Sequence, residues 1–250
     1  MPSTIVLITG ANSGVGFATA KVIACASEVF HVIMASRSLE KAKSAMSEIE
    51  AAGIKGLLST VQLDVTDERS IEQAVTLINQ NFGRLDVLVN NAAVGSRDSD
   101  LKTRFQLCMD TNVIGPAVVS AAFRPLLLKS QKPYSIYVSS GIGSLARVSD
   151  PTSITYRGIP NGEAYSASKA ALNMIALQES IVFSSTALKV FVVCPGFVRS
   201  NLCGPSEEAR CGWGKAGDPQ VSGELILSVI QGERDVDAGQ FVYIDGVYPW

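Results

Sequence analysis

The stretch Thr4-Ile5-Val6-Leu7-Ile8-Thr9-Gly10-Ala11-Asn12-Ser13-Gly14-Val15-Gly16 decides the fold class of this chain. Its first six residues are leucine or β-branched, a composition typical of a strand that is buried on both faces. The glycines that follow allow a tight turn, and they let the backbone approach a pyrophosphate at the N-terminus of the next helix. Their spacing, G-x-x-x-G-x-G, differs from the G-x-G-x-x-G dinucleotide fingerprint, so the alternative is a turn that only joins a strand to a helix.

Short runs rich in valine, isoleucine and leucine alternate with longer amphipathic segments along the rest of the chain. This alternation is typical of parallel strands that helices cover on both faces. It predicts strands at residues 4–9, 30–36, 57–63, 85–90, 134–139, 188–194 and 240–245, and helices at 14–26, 39–52, 67–82, 101–128, 163–185 and 219–231. We therefore predict a Rossmann-type α/β fold: a doubly wound, seven-stranded parallel sheet with helices on both faces, in a single domain over residues 1–250.

The composition narrows the functional classes. Of 250 residues, 47% are apolar and 18% are charged, so the chain can bury a full core. The net charge of −2, with scattered lysine and arginine, argues against a nucleic-acid surface, and the apolar runs are far shorter than the roughly 20 residues of a membrane span. Five cysteines without a C-x-x-C pair and a single histidine predict no metal site. We expect a soluble cytoplasmic protein.

Tyr165 and Lys169 form the most informative pair of polar residues. They lie four residues apart in a predicted helix, which places a phenol and an ammonium group on one face. The ordinary pKa of tyrosine is about 10, and lowering it to about 7 means favouring the phenolate by about 4 kcal/mol, which a neighbouring cation can largely supply. The pair therefore predicts a tyrosine that can act as an acid.

The end of the second predicted strand reads Ala35-Ser36-Arg37-Ser38 and carries no carboxylate to hold the adenosine ribose hydroxyls of NAD. A guanidinium group can bind two phosphate oxygens at once, so Arg37, aided by Ser36, predicts NADP(H) through its 2′-phosphate. The alternative is a solvated arginine at a strand end. After the third strand, Asp64-Val65 is placed to receive the adenine amino group, with an N-cap role for a nearby acid as the alternative.

Pro116 lies four residues after Asn112 in a predicted helix. Proline lacks the N–H that would bond the carbonyl oxygen of Asn112, so this carbonyl is freed and can hold a water molecule. The alternative is that the two residues mark only a structural kink.

Two predicted loops, residues 141–162 and 196–219, are long for a compact domain. Loops of such length commonly cover a site, and we interpret both as walls of a substrate pocket. Their large apolar side chains favour a bulky, largely apolar substrate, whereas a mobile surface loop is the alternative for each. The residues assigned to this pocket are Leu145, Tyr156, Phe197, Leu202 and Trp213.

Together these features resemble the short-chain dehydrogenase/reductase family over essentially the whole chain. The matching residues occur in the family's order: Thr9-Gly10-x-x-x-Gly14-x-Gly16, Asp64, Asn90-Asn91-Ala92, Asn112, Ser140, Tyr165-x-x-x-Lys169, Pro195-Gly196 and the closing run Gly239-Gln240-Phe241-Val242-Tyr243-Ile244-Asp245-Gly246. A Y-x-x-x-K pattern alone is weak. The ordered set is specific, because each motif falls on the secondary-structure element where the family has it.

The resemblance implies a catalytic role for Asn112, Ser140, Tyr165 and Lys169. Tyr165 would donate a proton to a carbonyl oxygen as hydride arrives from the nicotinamide, while Lys169 lowers the pKa of the tyrosine and holds the nicotinamide ribose. Ser140 would hydrogen-bond the same oxygen; it fits the family's S-x-x-G phase, and strand alternation points only one of Ser139 and Ser140 at the site. Asn112 would hold a water molecule linked to the lysine.

The predicted cofactor-binding residues lie at strand ends and in the loops that follow them. They are Gly10, Asn12, Ser13, Gly14, Val15, Gly16, Ser36, Arg37, Asp64, Val65, Asn91, Ala92, Tyr165, Lys169, Pro195, Gly196, Val198 and Ser200. Ser200 stands where the family often has a threonine near the nicotinamide amide.

The sequence departs from the family's pattern at two points: Ala93 replaces the glycine usual after Asn-Asn-Ala, and the gap between Ser140 and Tyr165 is longer than usual. The inserted residues lie at the substrate mouth, before a helix that is often an oligomer face in the family. A homo-oligomer is therefore expected only if the insertion permits it.

We predict an NADPH-dependent reductase of a bulky, largely apolar ketone or aldehyde, reversible toward the alcohol. The alternatives are an alcohol dehydrogenase that works mainly in the oxidative direction, and a non-redox cyclase or cofactor-sensing protein on the same fold.

Overall fold

The computed structural model describes residues 3–155, 162–204 and 206–250, and within them one sheet of eight strands is present. The strands are β1 (Thr4–Thr9), β2 (Phe30–Ser36), β3 (Leu57–Gln62), β4 (Val87–Asn90), β5 (Tyr134–Val138), β6 (Lys189–Val193), β7 (Phe241–Tyr243) and β8 (Gly246–Tyr248). Their order across the sheet is β3-β2-β1-β4-β5-β6-β7-β8, and β1 to β7 run parallel. The order reverses between β1 and β4, which opens a crevice at their carboxyl ends. The Rossmann-type fold predicted from the sequence is confirmed.

The helices of the described residues alternate with the strands. They are α1 (Gly14–Ala26), α2 (Leu39–Ala51), α3 (Glu68–Phe82), α4 (Leu101–Met109), α5 (Gly115–Leu127), α6 (Leu145–Ser149), α7 (Glu163–Val182), α8 (Glu207–Arg210) and α9 (Gln220–Gln231). Ser38, Asp67 and Asp100 begin three of them, since each side chain accepts a hydrogen bond from a backbone N–H of the first turn. The short helices α6 and α8 lie in the two segments predicted as long loops.

The prediction of seven strands, all parallel, is wrong at one edge of the sheet. The last predicted strand, residues 240–245, ends at Tyr243, and the chain turns back through Ile244 and Asp245 into β8, which pairs antiparallel with β7. Gly246 permits this turn, because its φ of +153° lies in a region that residues with a Cβ rarely adopt. A three-residue strand is too short to show a period in the sequence.

The predicted helix at residues 101–128 is interrupted. A single π-helical turn, Asp110–Ile114, separates α4 from α5. Pro116 lies in the first turn of α5, where its missing N–H costs little. The break that the proline signals therefore takes the form of a π turn, a feature that often marks functional sites.

Two apolar layers cover the faces of the sheet. Because side chains alternate along a strand, Val6 and Ile8 of β1 belong to one layer and Ile5 and Leu7 to the other. Residues of α1, α2 and α9 complete the first layer, and residues of α3, α5 and α7 complete the second. In the part of the chain that the structure describes, no helix is both long and apolar enough to span a bilayer.

Candidate active site

The glycine turn joins β1 to α1. Gly10 and Gly14 have φ of +65° and +57°, so both positions need the conformational freedom of glycine. A Cβ at Gly16 would lie 2.5 Å from Asn91 Nδ2 and 2.7 Å from the Gly10 carbonyl oxygen, so the start of α1 packs directly on the turn. Ser13 is the N-cap of α1 and accepts no capping hydrogen bond within the described residues. The N-terminus of α1 therefore offers free backbone N–H groups to an anion, as a pyrophosphate site requires.

Thr9, at the end of β1, ties the glycine turn to the segment that follows β4. Its Oγ1 accepts hydrogen bonds from the backbone N–H groups of Asn91 (2.9 Å) and Ala92 (3.0 Å). Asn91 Nδ2 donates to the Thr9 carbonyl oxygen at 2.8 Å. Asn91 and Ala92, both predicted to bind the cofactor, therefore lie beside the turn. The sequence interpretation gave Thr9 no role of its own, although the residue is part of the glycine motif.

Asn12 and Ser36 connect the glycine turn to the end of β2. Ser36 Oγ donates to Asn12 Oδ1 at 3.1 Å, and the backbone N–H of Ser38 donates to Ser36 Oγ at 3.3 Å. Arg37 is exposed and forms no ion pair with the residues described. Its guanidinium group is therefore available to a phosphate at this strand end.

Asp64 forms a local turn after β3. Its Oδ1 accepts hydrogen bonds from the N–H (3.0 Å) and the Oγ1 (2.7 Å) of Thr66, while Asp67 is the acid that caps α3. The Val65 side chain is buried and packs against Gly115, where a Cβ would lie 2.9 Å from it. A cavity of about 140 Å³, lined in part by Val65 and Thr66, adjoins this segment. The adenine contact of Asp64 and Val65 stays a prediction.

Tyr165 and Lys169 lie on one face of α7, as their spacing predicts. Lys169 Nζ is 5.6 Å from the centroid of the Tyr165 ring and donates a hydrogen bond to the Val138 carbonyl oxygen at 2.9 Å. The lysine is only 2% exposed. Because burial penalises the charged form, the pKa of Lys169 falls to about 8, which leaves the ammonium mostly protonated at neutral pH.

The pKa of Tyr165 differs from the value that the sequence suggested. Burial raises it above the ordinary value of 10, and the nearby cysteines Cys194, Cys203 and Cys108 act in the same direction. Desolvation is the largest cause of this shift. The phenol keeps its proton at neutral pH, as a proton donor must.

Ser139 and Ser140, at the end of β5, have different surroundings. Ser139 is buried, and its Oγ donates to Asn173 Oδ1 at 2.5 Å, which fixes the strand end against α7. Ser140 is half-buried, and its hydroxyl has no hydrogen-bond partner in the described part of the chain. Ser140 is therefore the serine whose hydroxyl is available to a substrate, as the sequence interpretation chose. Asn173, two helical turns after Tyr165, was not predicted.

Asn112 lies in the π turn and is fully buried. Its Nδ2 donates to the Val94 carbonyl oxygen (2.9 Å) and to Ser168 Oγ (3.0 Å), and its Oδ1 accepts from the Val94 N–H (2.8 Å). The side chain therefore braces the segment after β4 against α7, one residue before Lys169. This contact was not predicted. Because these hydrogen bonds occupy the side-chain amide of Asn112, only its backbone carbonyl oxygen is left to hold a water molecule.

The loop after β6 returns to the glycine turn. The Pro195 carbonyl oxygen accepts a hydrogen bond from Ser222 Oγ at 2.8 Å, and Gly196 has a φ of +81°. Val198 pairs with Gly217 in an isolated bridge. Ser200 Cβ lies 3.2 Å from the position that a Cβ would take on Gly14. The predicted cofactor residues of this loop are thus brought beside those of β1 and α1.

A sequence profile described as short chain dehydrogenase matches residues 4–210 of this chain. The chain belongs to the short-chain dehydrogenase/reductase family. It is 34% identical to a short-chain dehydrogenase/reductase of Talaromyces stipitatus over 96% of this chain and 95% of the relative. A second short-chain dehydrogenase/reductase, from a Phoma species, is 32% identical over 100% of this chain and 98% of its own length.

Solved structures also match the fold. An NADPH-bound carbonyl reductase from chicken fatty liver aligns with a TM-score of 0.81 and 25% identity, covering 100% of both chains. A metagenomic short-chain oxidoreductase in complex with NADP aligns with a TM-score of 0.70 and 25% identity, over 92% of this chain and 91% of that one. The chain is therefore an oxidoreductase of this family with a fold like that of a carbonyl reductase.

Three of the large apolar residues predicted to line the substrate pocket of this short-chain dehydrogenase are exposed: Leu145 (74%), Phe197 (55%) and Trp213 (60%). Leu202 is half-buried, and its carbonyl oxygen lies 3.2 Å from the Cβ position of Gly95. The loop after β6 thus touches the segment after β4. Tyr156 lies outside the described residues, so its pocket role stays a prediction.

Arg97 is an unpredicted neighbour of this region. Its guanidinium carbon lies 5.4 Å from the centre of the Trp213 ring, a cation–π arrangement. Trp213 has a φ of +54°, which is rare for a residue with a Cβ and marks local strain. The sequence shows neither feature, because both depend on how the two loops meet.

Proposed function

We propose that this short-chain dehydrogenase is an NADPH-dependent reductase of a bulky, largely apolar ketone or aldehyde, with Tyr165 as the proton donor and Ser140 as the group that holds the carbonyl oxygen. The observation that carries the proposal is the pairing of Tyr165 with the buried Lys169 ammonium, 5.6 Å from the ring centroid, close to the end of β5 that Ser140 follows. Tyr165 is half-buried and Lys169 is almost fully buried, so the proposal assigns the contact with the substrate to the tyrosine.

The residues around the glycine turn fit a dinucleotide phosphate. The N-terminus of α1, whose N-cap makes no capping hydrogen bond within the described residues, would hold the pyrophosphate. Arg37, which is exposed and forms no ion pair with the residues that the structure describes, would hold a 2′-phosphate that NAD lacks. NADPH supplies a hydride when it is bound. Two structural neighbours with NADPH or NADP bound, each 25% identical, support this cofactor.

Tyr165, Lys169 and Ser140 would carry out the proton transfer to the carbonyl oxygen. Tyr165 enters the reaction as a neutral phenol because burial raises its pKa. As the phenol gives its proton to the carbonyl oxygen, a phenolate develops, and the Lys169 ammonium stabilises this charge at short range. Ser140 donates a hydrogen bond to the same oxygen, which also gains negative charge. Lys169 is held in place by the Val138 carbonyl oxygen and needs no reorganisation during the step.

Large apolar side chains on the two loops support the proposed substrate class. Leu145, Phe197 and Trp213 expose large apolar surfaces, which a bulky apolar substrate would cover. The carbonyl reductase among the structural neighbours supports reduction of a carbonyl compound, and the protonated phenol favours reduction over oxidation. The cytoplasmic location, a homo-oligomer and the single-domain organisation over residues 1–250 stay predictions.

One assay separates this function from its alternatives. Loss of NADPH is followed with a panel of bulky aromatic and aliphatic ketones, and NADP+ reduction is followed with the corresponding alcohols. We expect consumption of NADPH with some of the ketones at neutral pH. Faster NADP+ reduction at neutral pH would favour an alcohol dehydrogenase, and tight NADPH binding without consumption across the panel would favour a cofactor sensor or a cyclase.

A further inference from the structure

The segment that begins at Ser140 is held from two sides. On the inner side, Asn173 Nδ2 donates to the Gly143 carbonyl oxygen at 3.2 Å, and the Gly141 N–H donates to Cys194 Sγ at 3.2 Å. A Cβ at Gly143 would lie 2.8 Å from the carbonyl carbon of Lys169, so this segment packs directly on α7. These contacts fix the short turn Gly141–Gly143 but not α6, which follows it.

The outer side is held by the last three residues, Tyr248, Pro249 and Trp250, which we name the C-terminal clamp. Ser144 Oγ donates to the Pro249 carbonyl oxygen at 2.6 Å, and the Ala146 N–H donates to the Trp250 carbonyl oxygen at 3.0 Å. Both hydrogen bonds reach the first turn of α6. They join positions more than a hundred residues apart, so that no local sequence pattern indicates them.

Aromatic stacking anchors the clamp to the sheet. Tyr248 stacks on Tyr243, with ring centroids 3.9 Å apart and planes inclined by 8°. Trp250 stacks on Phe241, at 5.8 Å and 17°. Phe241 is fully buried in the core, so the clamp is a rigid extension of β7 and β8.

Arg147 of α6 completes the contact. Its guanidinium carbon lies 3.8 Å from the centre of the Tyr248 ring, and Nε is buried without a hydrogen-bond partner among the described residues. Arg147 Nε and Tyr248 Cε2 lie 3.4 Å and 3.5 Å from the position that a Cβ would take on Gly141. The stacked pair therefore covers the backbone of the residue that directly follows Ser140.

We propose that the C-terminal clamp, with Tyr248 as its central positioning residue, sets the place of Ser140 and of α6 at the substrate mouth. The proposal rests on the function proposed above, in which Ser140 holds the carbonyl oxygen. The clamp touches α6 and the turn after Ser140, whereas the glycine turn and Arg37 lie at the ends of β1 and β2. Loss of the clamp should therefore impair carbonyl turnover and leave NADPH binding intact.

The experiment compares Tyr248→Ala, Tyr248→Phe and Val247→Ala in the full chain. Phenylalanine keeps the ring that stacks on Arg147, and Val247 is the neighbouring residue of β8 on the opposite face, 40% exposed. We expect Tyr248→Ala to lower kcat for a bulky ketone by about tenfold or more, since small displacements of a group that acts in the transition state are costly. NADPH dissociation constants should agree within about twofold in all variants, because their cofactor contacts are unchanged. Tyr248→Phe and Val247→Ala should keep wild-type kcat.

Wild-type kcat in folded Tyr248→Ala, or an equal loss in Tyr248→Phe, would overturn the proposal. If Tyr248→Ala does not fold, Arg147→Met is the test variant, because it removes the stacked cation without opening the aromatic cluster. Unchanged kcat in Arg147→Met would overturn the proposal, and a loss of kcat of about tenfold or more would support it. Tyr165→Phe separates this test from the proposed function. Full activity in Tyr165→Phe contradicts the reductase mechanism itself, whereas an inactive Tyr165→Phe beside a fully active Tyr248→Ala contradicts only the clamp.

Discussion

Lys169 donates a hydrogen bond from Nζ to the carbonyl oxygen of Val138, 2.9 Å away, and this bond holds the ammonium of α7 at the carboxyl end of β5. The same end of β5 leads into Ser139 and Ser140. Together with the hydrogen bond from Ser139 to Asn173, this bond joins α7, which carries Tyr165, to the strand end that leads into Ser140. Burial of this ammonium has a cost in stability, and the mechanism proposed above gives the charge a role at this position.

The first prediction concerns the buried lysine. The pKa of Lys169 is lowered from 10.5 to about 8 in the folded protein. Between these pH values the unfolded chain holds a proton that the folded protein has released, so the wild type gains stability as the pH rises from about 8 to about 10.5. Denaturant unfolding over this range should show the gain, and Lys169→Met should lack it while losing nearly all turnover. Parallel pH dependences in the two proteins would contradict the buried ammonium.

A second prediction separates the two serines. Ser140→Ala removes only an available hydroxyl, so kcat should fall by about a hundredfold with little change in melting temperature. Ser139→Ala removes the buried hydrogen bond to Asn173, so it should cost about 1–2 kcal/mol of stability and reduce kcat less. Thermal unfolding and steady-state kinetics on both variants provide the test. The reverse pattern would assign the catalytic role to Ser139.

These contrasts show what the sequence can and cannot predict. The choice of Ser140 over Ser139 was made from strand alternation and the family's S-x-x-G phase, and the different surroundings of the two side chains fit that choice. The partners of Ser139 and Asn112 were not predictable, because Asn173 and Ser168 lie 34 and 56 residues away along the chain. The sign of the Tyr165 pKa shift was missed for the same reason: burial, its largest cause, depends on elements that are distant in sequence.

The fold was predictable where the sequence marks an element clearly. β2 and α1 have the predicted bounds, Phe30–Ser36 and Gly14–Ala26, because a continuous apolar run marks the buried strand and a glycine turn marks the start of the helix. At Asn112 and Pro116 the sequence predicted a freed carbonyl or a kink but not the π turn Asp110–Ile114, and it did not predict the edge strand β8. These two elements have five and three residues, too few to show a period of their own.

A third prediction tests the cofactor choice. Arg37→Asp removes an exposed guanidinium and adds a charge that repels phosphate. The Michaelis constant for NADPH should rise by about ten- to a hundredfold, the range expected for a lost charge-assisted hydrogen bond, while that for NADH changes little or falls. Steady-state kinetics with both cofactors measure the ratio. An equal rise for the two cofactors would contradict the 2′-phosphate role.

A fourth prediction concerns Gly16. A Cβ at this position would lie 2.7 Å from the Gly10 carbonyl oxygen and 3.0 Å from Ala11 Cα, both of which are backbone atoms. Gly16→Ala should therefore cost about 1–3 kcal/mol of stability and weaken NADPH binding, as fluorescence titration would show. Gly53→Ala is the matched control, because its φ is +81° but no atom lies within 4 Å of the added Cβ. Comparable NADPH affinity in the two variants would contradict the packing requirement of the turn.

The most direct test of the account is single-turnover NADPH oxidation by Tyr165→Phe in the presence of a bulky ketone that the wild type reduces. The substitution keeps the ring beside Lys169 and removes only the hydroxyl that gives the proton. We predict NADPH binding within about twofold of the wild type and a rate lower by about a thousandfold, the range expected for loss of a general acid. A rate within about tenfold of the wild type, with NADPH bound as tightly, would show that another group supplies the proton and would contradict the account.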